Sequence, residues 1–222
     1  MLAHISPAMH SGISSATAPL IRVVDDETSI QTLFVRIGQL CGFKVDCHST
    51  AESFLAAYDD NRPGCLVIDL MLPDRSGIEV LQEVTDRGNE LPVVFMSGMA
   101  RVSEAVQALK LGSIDFVEKP FDLQQIAEVL RRAVEIDRTR RQRDGDQTDL
   151  RRRFSSLTRR ETQVMDQIVQ GAANKEVAAD LGLSHKTVEV HRANVMRKTR
   201  ASSLAELVRL HVAAHTAELS QH

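Results

Sequence analysis

Apolar residues in the first 137 positions fall into two alternating patterns. Short, nearly unbroken apolar runs occupy residues 20–24, 43–47, 65–69, 91–96 and 114–118, the second being the weakest. Runs of this length, rich in branched residues and bounded by turn signals, predict buried strands of a parallel sheet. Between them the period lengthens to that of a helix. From Thr28 onward, Ile30, Leu33, Phe34, Ile37, Leu40 and Cys41 share one stripe, and Gly42 stops it. Further helices are predicted over 51–58, 78–84, 102–111 and 123–136, the last turning Ile126, Leu130 and Val134 inward. Five strands alternating with five helices predict an α/β doubly wound five-stranded parallel sheet.

Beyond residue 153 only the helical period remains. Thr158 and Glu161 form a capping box ahead of Val164, Met165, Ile168 and Val169, and Gly171 ends that helix. Asn174 is placed as the cap of a short helix over 175–181, Gly182 turns the chain, and Ser184 caps a third helix over 185–199. A fourth starts at Ser203, with Glu206 completing another capping box. Two short helices joined by a glycine turn, the second studded with Lys, His, Arg and Asn, make a helix-turn-helix signature in a small all-α four-helix domain. Residues 138–153 hold hardly any apolar side chain and predict a charged, solvated linker, helical at its start. Arg151, Arg152 and Arg153 within it read equally well as contacts to DNA phosphates. The division expected is therefore a disordered tail (1–19), a sheet domain (20–137), the linker (138–153), a helical domain (154–217) and a short tail (218–222).

Length and charge sharpen this picture. The 222 residues suffice for two small domains. Through Asp144 there are 21 acidic and 15 basic side chains, and from Gly145 there are 9 acidic and 12 basic. An acidic front joined to a basic back points to a polyanion meeting only the second half. Cys41, Cys47 and Cys65 lack metal spacing and read as free thiols in a reducing cytosol, and the eight histidines show no ligand pattern. With no export signal and no run of about 18 apolar residues, the chain is expected to be cytoplasmic with no membrane partner.

The candidate chemistry lies at the strand ends, where open α/β sheets place their sites. One apolar run ends in Asp69, and Pro73 with Ser76 and Gly77 marks the loop after it. A lone acid there is more often a helix cap than a reactive group. Three other strands, however, end in Asp25 with Asp26, in Ser97, and in Lys119 followed by Pro120. Carboxylates so close together require a counter-ion, and an all-oxygen set suits Mg²⁺. Asp69 can then act as a nucleophile toward phosphorus, with Mg²⁺, Lys119 and the Ser97 hydroxyl holding the transferring oxygens.

The series Val-Asp-Asp-Glu, Val-Ile-Asp-Leu-Met-Leu-Pro-Asp-Arg-Ser-Gly, Phe-Met-Ser-Gly and Asp-Phe-Val-Glu-Lys-Pro-Phe resembles the receiver domain of two-component response regulators over about residues 20–137. The resemblance implies Asp69 as phosphoryl acceptor and Asp25, Asp26, Asp69 and the Met71 backbone carbonyl as metal ligands. It also implies Ser97 and Phe116 as switch residues and Lys119 as the phosphate lysine. A flavodoxin-like domain without phosphotransfer explains neither the acid pair nor Lys-Pro. A phosphatase of the haloacid dehalogenase kind needs a second Asp where this chain has Met71.

Leu-Thr-Arg-Arg-Glu, Gly-Ala-Ala-Asn-Lys-Glu-Val-Ala and Lys-Thr-Val-Glu-Val-His-Arg-Ala-Asn-Val-Met-Arg-Lys resemble the LuxR-type helix-turn-helix over about 155–215, most of all the FixJ branch of the FixJ/NarL subfamily. Lys186, Glu189, Val190, Ala193 and Arg197 recur every three or four residues and share one helix face. On that face Glu189 can accept from a cytosine amino group and Val190 can touch a thymine methyl. Lys175, Lys186, Arg192 and Arg197 serve as phosphate anchors, and Thr187 completes the expected DNA-binding set. The family pattern also makes residues 204–211 a dimer surface. Together these resemblances imply a non-enzymatic regulator, phosphorylated by a sensor histidine kinase, that binds promoter DNA as a dimer, with RNA polymerase as a further partner. The competing reading is a receiver-controlled RNA-binding or protein-binding output.

Overall fold

The computed structural model describes residues 18–59, 62–88, 90–98 and 102–219. Most of the tail expected over 1–19 and the end of that expected over 218–222 lie outside these residues. The chain divides into two compact units, one up to Arg141 and one from Gln142.

In the first unit, strands β1 (Leu20–Val24), β2 (Lys44–His48), β3 (Gly64–Asp69), β4 (Val93–Ser97) and β5 (Asp115–Glu118) alternate with helices α1 (Thr28–Cys41), α2 (Ala51–Ala57), α3 (Gly77–Asp86), α4 (Val102–Lys110) and the first part of α5 (Leu123–Ser155). All pairings are parallel, in the order β2-β1-β3-β4-β5. The chain runs outward from β1 to β2 and then crosses back to β3, so the strand order reverses between β1 and β3, where such sheets bind ligands. Register brings Val24 beside Ile68, Asp69 beside Met96 and Ser97 beside Glu118, so the polar residues at the strand ends share one edge.

Both faces of the sheet are covered, which is why the strands read as continuous apolar runs. Ile21, Val23, Cys65, Val67, Val94 and Met96 pack with Phe34 and Ile37 of α1 and Ile126 and Leu130 of α5. Leu66, Ile68 and Phe95 pack on the other face with Phe54 of α2 and Val80, Leu81 and Val84 of α3. Each such side chain, fully buried, contributes roughly 1.5–3 kcal/mol. Leu40, expected on the inner stripe of α1, is instead 73% exposed. Burial of Cys65 pushes its thiol pKa up to about 12, which keeps it protonated and inert.

Residues 138–153, expected as a charged linker helical at its start, are helical throughout, because α5 continues to Ser155. Ion pairs one turn apart sustain this polar stretch. Arg140 and Arg141 reach back to Asp137 at 2.8 and 2.9 Å, and Arg152 and Arg153 both reach Asp149. Asp137 is itself fully buried and also accepts the Gly64 N–H at 2.9 Å, fixing α5 to the first residue of β3.

The second unit holds α6 (Arg159–Val169), α7 (Asn174–Leu181), α8 (His185–Thr199) and α9 (Leu204–Leu219). Val164, Met165, Ile168, Val177, Val188, Val195 and Leu207 form its core, with Phe154 packed against them. The capping box of Thr158 and Glu161 is present, and Ser184 caps α8 through the Thr187 N–H. Asn174 is not a cap: it is the first residue of α7, Ala173 precedes it, and Glu176 accepts the Ala173 N–H at 2.7 Å. Among the described residues, no helix is long and apolar enough to cross a membrane.

Candidate functional site

The last residue of β3 is Asp69, and the chain then forms a closed loop. Leu70 donates its N–H to Met96 O, Gly77 donates to Leu70 O at 2.9 Å, and Met71 bridges Ser76. Ser76 caps α3 in a capping box with Glu79, which stops the loop where the helix starts. Gly77 is required here because a Cβ on it would lie 2.3 Å from the Asp69 carbonyl oxygen. The result is a nearly buried Asp69, 6% exposed, with Oδ1 accepting the Met71 N–H at 2.9 Å.

Its other oxygen, Oδ2, lies 2.5 Å from Lys119 Nζ. The same ammonium pairs with Asp25 at 2.7 Å and with Glu27 at 2.9 Å. Burial alone would lower the Lys119 pKa, but its bonds to Asp25, Asp69 and Glu27 outweigh burial and hold the pKa above the ordinary lysine value. Burial raises the carboxyl of Asp25 despite the Lys119 contact. Asp25, Glu27 and Asp69 each bring a carboxylate oxygen within 4.8 Å of the others. One ammonium against three carboxylates leaves the group short of positive charge, and its oxygen-only donors suit a hard divalent cation such as Mg²⁺. The residues present therefore fit the metal.

The composition of this cluster differs from the sequence expectation. Asp26 and Glu27 are both exposed, and Glu27, which was not expected, brings a third carboxylate oxygen to Asp25 and Asp69. These residues lie between β1 and α1, where Asp25 Oδ1 accepts the Glu27 N–H at 2.9 Å. Met71 lies in the loop with its side chain 71% exposed. The Ser97 side chain is 2% exposed at the end of β4, and its carbonyl accepts the Lys119 N–H at 2.8 Å. Phe116, one strand over on β5, is partly buried against the α2 and α3 side of the core. The Lys119–Pro120 peptide is cis. Gln31 was not singled out from sequence, yet its amide donates to Asp25 O at 2.7 Å and to Ser49 Oγ at 3.0 Å.

In the second unit, α8 turns Val188 and Val195 into the core. Its opposite face leaves Lys186, Glu189, Val190, Ala193 and Arg197 exposed, with Val190 at 54%, while Thr187 is half-buried beside the Ser184 cap. Lys175 is exposed on α7. Arg192 is half-buried and donates to Asn174 Oδ1 at 3.1 Å, which joins α8 to the start of α7. This pairing was invisible in the sequence because the two residues lie on different helices.

Comparison with known proteins bears on both units. The family described as the response regulator receiver domain matches residues 21–131. That described as bacterial regulatory proteins of the luxR family matches residues 155–211. The transcriptional regulatory protein FixJ of Rhizobium meliloti is 42% identical over 193 residues, covering 87% of this chain and 95% of its own length. The response regulator protein TodT of Pseudomonas putida is 33% identical, covering 88% and 86%. Among solved structures, the response regulator StyR matches with a TM-score of 0.82 at 36% identity, covering 87% of this chain and 98% of its own.

Proposed function

The chain belongs to the response regulators that pair a receiver domain with a luxR-type DNA-binding domain, and on that premise we propose that Asp69 is the phosphoryl acceptor through which a sensor histidine kinase controls promoter binding. As a transcriptional regulator of this family it binds DNA and is not an enzyme. The observation that carries the acceptor assignment is the Asp69 carboxylate at the sheet edge, one oxygen on the Met71 N–H and the other 2.5 Å from Lys119.

In the reaction, an Asp69 oxygen attacks the phosphorus of a phosphohistidine. The new P–O bond forms as the P–N bond breaks, and the imidazole leaves with the electron pair. Lys119 offsets charge on the phosphoryl oxygens, and the Ser97 hydroxyl turns inward to donate to one of them. Asp25, Glu27 and Asp69, with Asp26 and the Met71 carbonyl as the resemblance implies, would hold Mg²⁺, which would supply charge neutralisation at the carboxylates and the phosphoryl group. Movement of Ser97 opens space into which Phe116 turns, and the altered surface favours pairing of two chains. Exposed Leu204 and Val212 on α9 support that helix as part of the dimer surface. The paired α8 helices then read the major groove through Glu189 and Val190, with Lys175, Lys186, Arg192 and Arg197 on phosphates, and Thr187 and Ala193 lining the same contact. RNA polymerase is the partner the bound dimer would meet at a promoter.

The test is labelling of the full chain with acetyl phosphate and Mg²⁺, followed by binding to promoter fragments. Wild type is expected to gain one phosphoryl group and to bind more tightly, whereas Asp69→Asn gains none. Labelling retained in Asp69→Asn would overturn the assignment.

A further inference from the structure

Asp74 lies five residues beyond the acceptor, at the exposed tip of the loop between β3 and α3. Its carboxylate reaches across to a different element. Oδ1 accepts the Ala51 N–H at 3.1 Å and Oδ2 accepts the Glu52 N–H at 3.0 Å. These are two of the donors that a helix start leaves unsatisfied. Thr50 takes the next one, Ser53 N–H, at 3.1 Å, so the start of α2 is capped partly from within and partly by the acceptor loop.

The geometry points to Asp74 as a positioning residue for the acceptor carboxylate, acting by tying the Asp69 loop to the segment that also holds Asp25. Residues 48–52 make both connections. His48 O accepts the Asp25 N–H at 3.0 Å, and Ser49 Oγ shares the Gln31 amide that donates to Asp25 O. Three residues later, Ala51 and Glu52 donate to Asp74. One short stretch of backbone therefore sets the spacing between the two buried acids, and Asp74 is its link to the second of them. Within the loop the effect passes to Met71, whose N–H fixes Asp69 Oδ1 and whose bridge to Ser76 is continuous with the tip. Releasing the tip lets Met71 drift, and with it the orientation of Asp69 relative to Asp25 and Lys119. A charged acceptor on two backbone donors is the stronger kind of hydrogen bond, which suits a fixed link. The inference rests on Asp69 being the acceptor.

The test compares Asp74→Ala, Asp74→Asn and Thr50→Ala in the full chain. Thr50→Ala removes the neighbouring cap of the same helix but leaves the loop tied, so it controls for loss of helix stability. Three quantities are measured: the melting temperature, the rate of labelling by acetyl phosphate at saturating Mg²⁺, and Mg²⁺ affinity by calorimetry. Asp74→Ala is expected to slow labelling by about tenfold, within the range that small misplacements of reacting groups produce, and to weaken Mg²⁺ binding. Thr50→Ala should lower the melting temperature comparably and leave the labelling rate within about twofold. Asp74→Asn, which keeps one amide bond, should fall between wild type and Asp74→Ala. Equal slowing by Asp74→Ala and Thr50→Ala, or an unchanged rate in Asp74→Ala, would overturn the proposal. Should Asp74→Ala fail to fold, Asp74→Asn decides, and a wild-type rate there overturns it. Asp69→Asn run alongside tests the acceptor itself, since labelling there would sink that assignment whatever Asp74 does.

Discussion

The edge of the sheet and the exposed face of α8 are both functional surfaces, but they are built on opposite terms. At the sheet edge, Asp25, Asp69 and Ser97 are nearly buried and every group leans on another. Lys119 alone answers to three acids. On α8, Lys186, Glu189, Val190, Ala193 and Arg197 stand in solvent on a single element whose other side does the folding. Changes in the first region should therefore cost folding and chemistry together. Changes in the second should alter what is bound and leave the fold alone.

The largest effect expected is at Lys119. Lys119→Met leaves Asp25, Glu27 and Asp69 without their shared cation, and labelling by acetyl phosphate should fall by at least about a hundredfold, of the order seen on removing one preorganised charge-stabilising donor. Labelling near the wild-type rate would show that the edge is less interdependent than its geometry implies. Next comes Gly77→Ala, whose new methyl meets the Asp69 carbonyl at 2.3 Å. It should cost roughly 1–3 kcal/mol in denaturant unfolding and slow labelling as well. Ala193→Ser on α8 should stay within about 0.5 kcal/mol of wild type. A Gly77→Ala protein as stable as wild type would erase the contrast.

On α8 itself, Glu189→Ala should relax preference at one base position by roughly 1–3 kcal/mol. Lys186→Ala should weaken all sequences alike and lower the salt slope by about one unit. Titrations on matched and mismatched duplexes at several salt concentrations separate the two, and identical effects on specificity would count against the division of roles.

The smallest effect concerns pH. Burial would raise the Glu161 carboxyl, but Lys198 at 2.7 Å and the Thr158 N–H at 2.8 Å hold it below its ordinary value of 4.5. A depressed acid stabilises the fold above its unfolded value, and that contribution is lost as pH falls through the folded one. Melting temperature should therefore decline more steeply below about pH 4.5 in wild type than in Glu161→Gln, and parallel curves would refute the linkage.

Most of the fold was legible because strand burial on both faces leaves an unbroken apolar run, and because Thr158, Ser184 and Gly42 mark helix ends locally. The sheet edge was legible in its residue types, since acids at strand ends beside Lys-Pro make chemical sense only together. That Glu27 joins the cluster was not, because its partner Lys119 lies 92 positions away. The length of α5 was hidden for a related reason: its apolar stripe ends near Ile136, and ion pairs centred on Asp137 and Asp149 carry it further. Asp74 and Gln31 escaped notice because their partners lie 22 to 23 and 6 to 18 positions away. Short polar side chains with distant partners leave no periodic trace.

Asp137 bears on where the first unit can be cut. The receiver match stops at residue 131, yet the carboxylate that secures Gly64 at the head of β3, and the two arginines that neutralise it, lie at 137, 140 and 141. A fragment ending at 131 strands the Gly64 amide and should be less stable by about 1–3 kcal/mol, the usual penalty for a buried donor left unmet, than one ending at 141. A fragment ending at 137 keeps the acid and discards its counter-charges, burying a bare carboxylate. The boundary of autonomous folding thus falls about two helical turns past Val134, the last apolar contact of α5, and is drawn by charge.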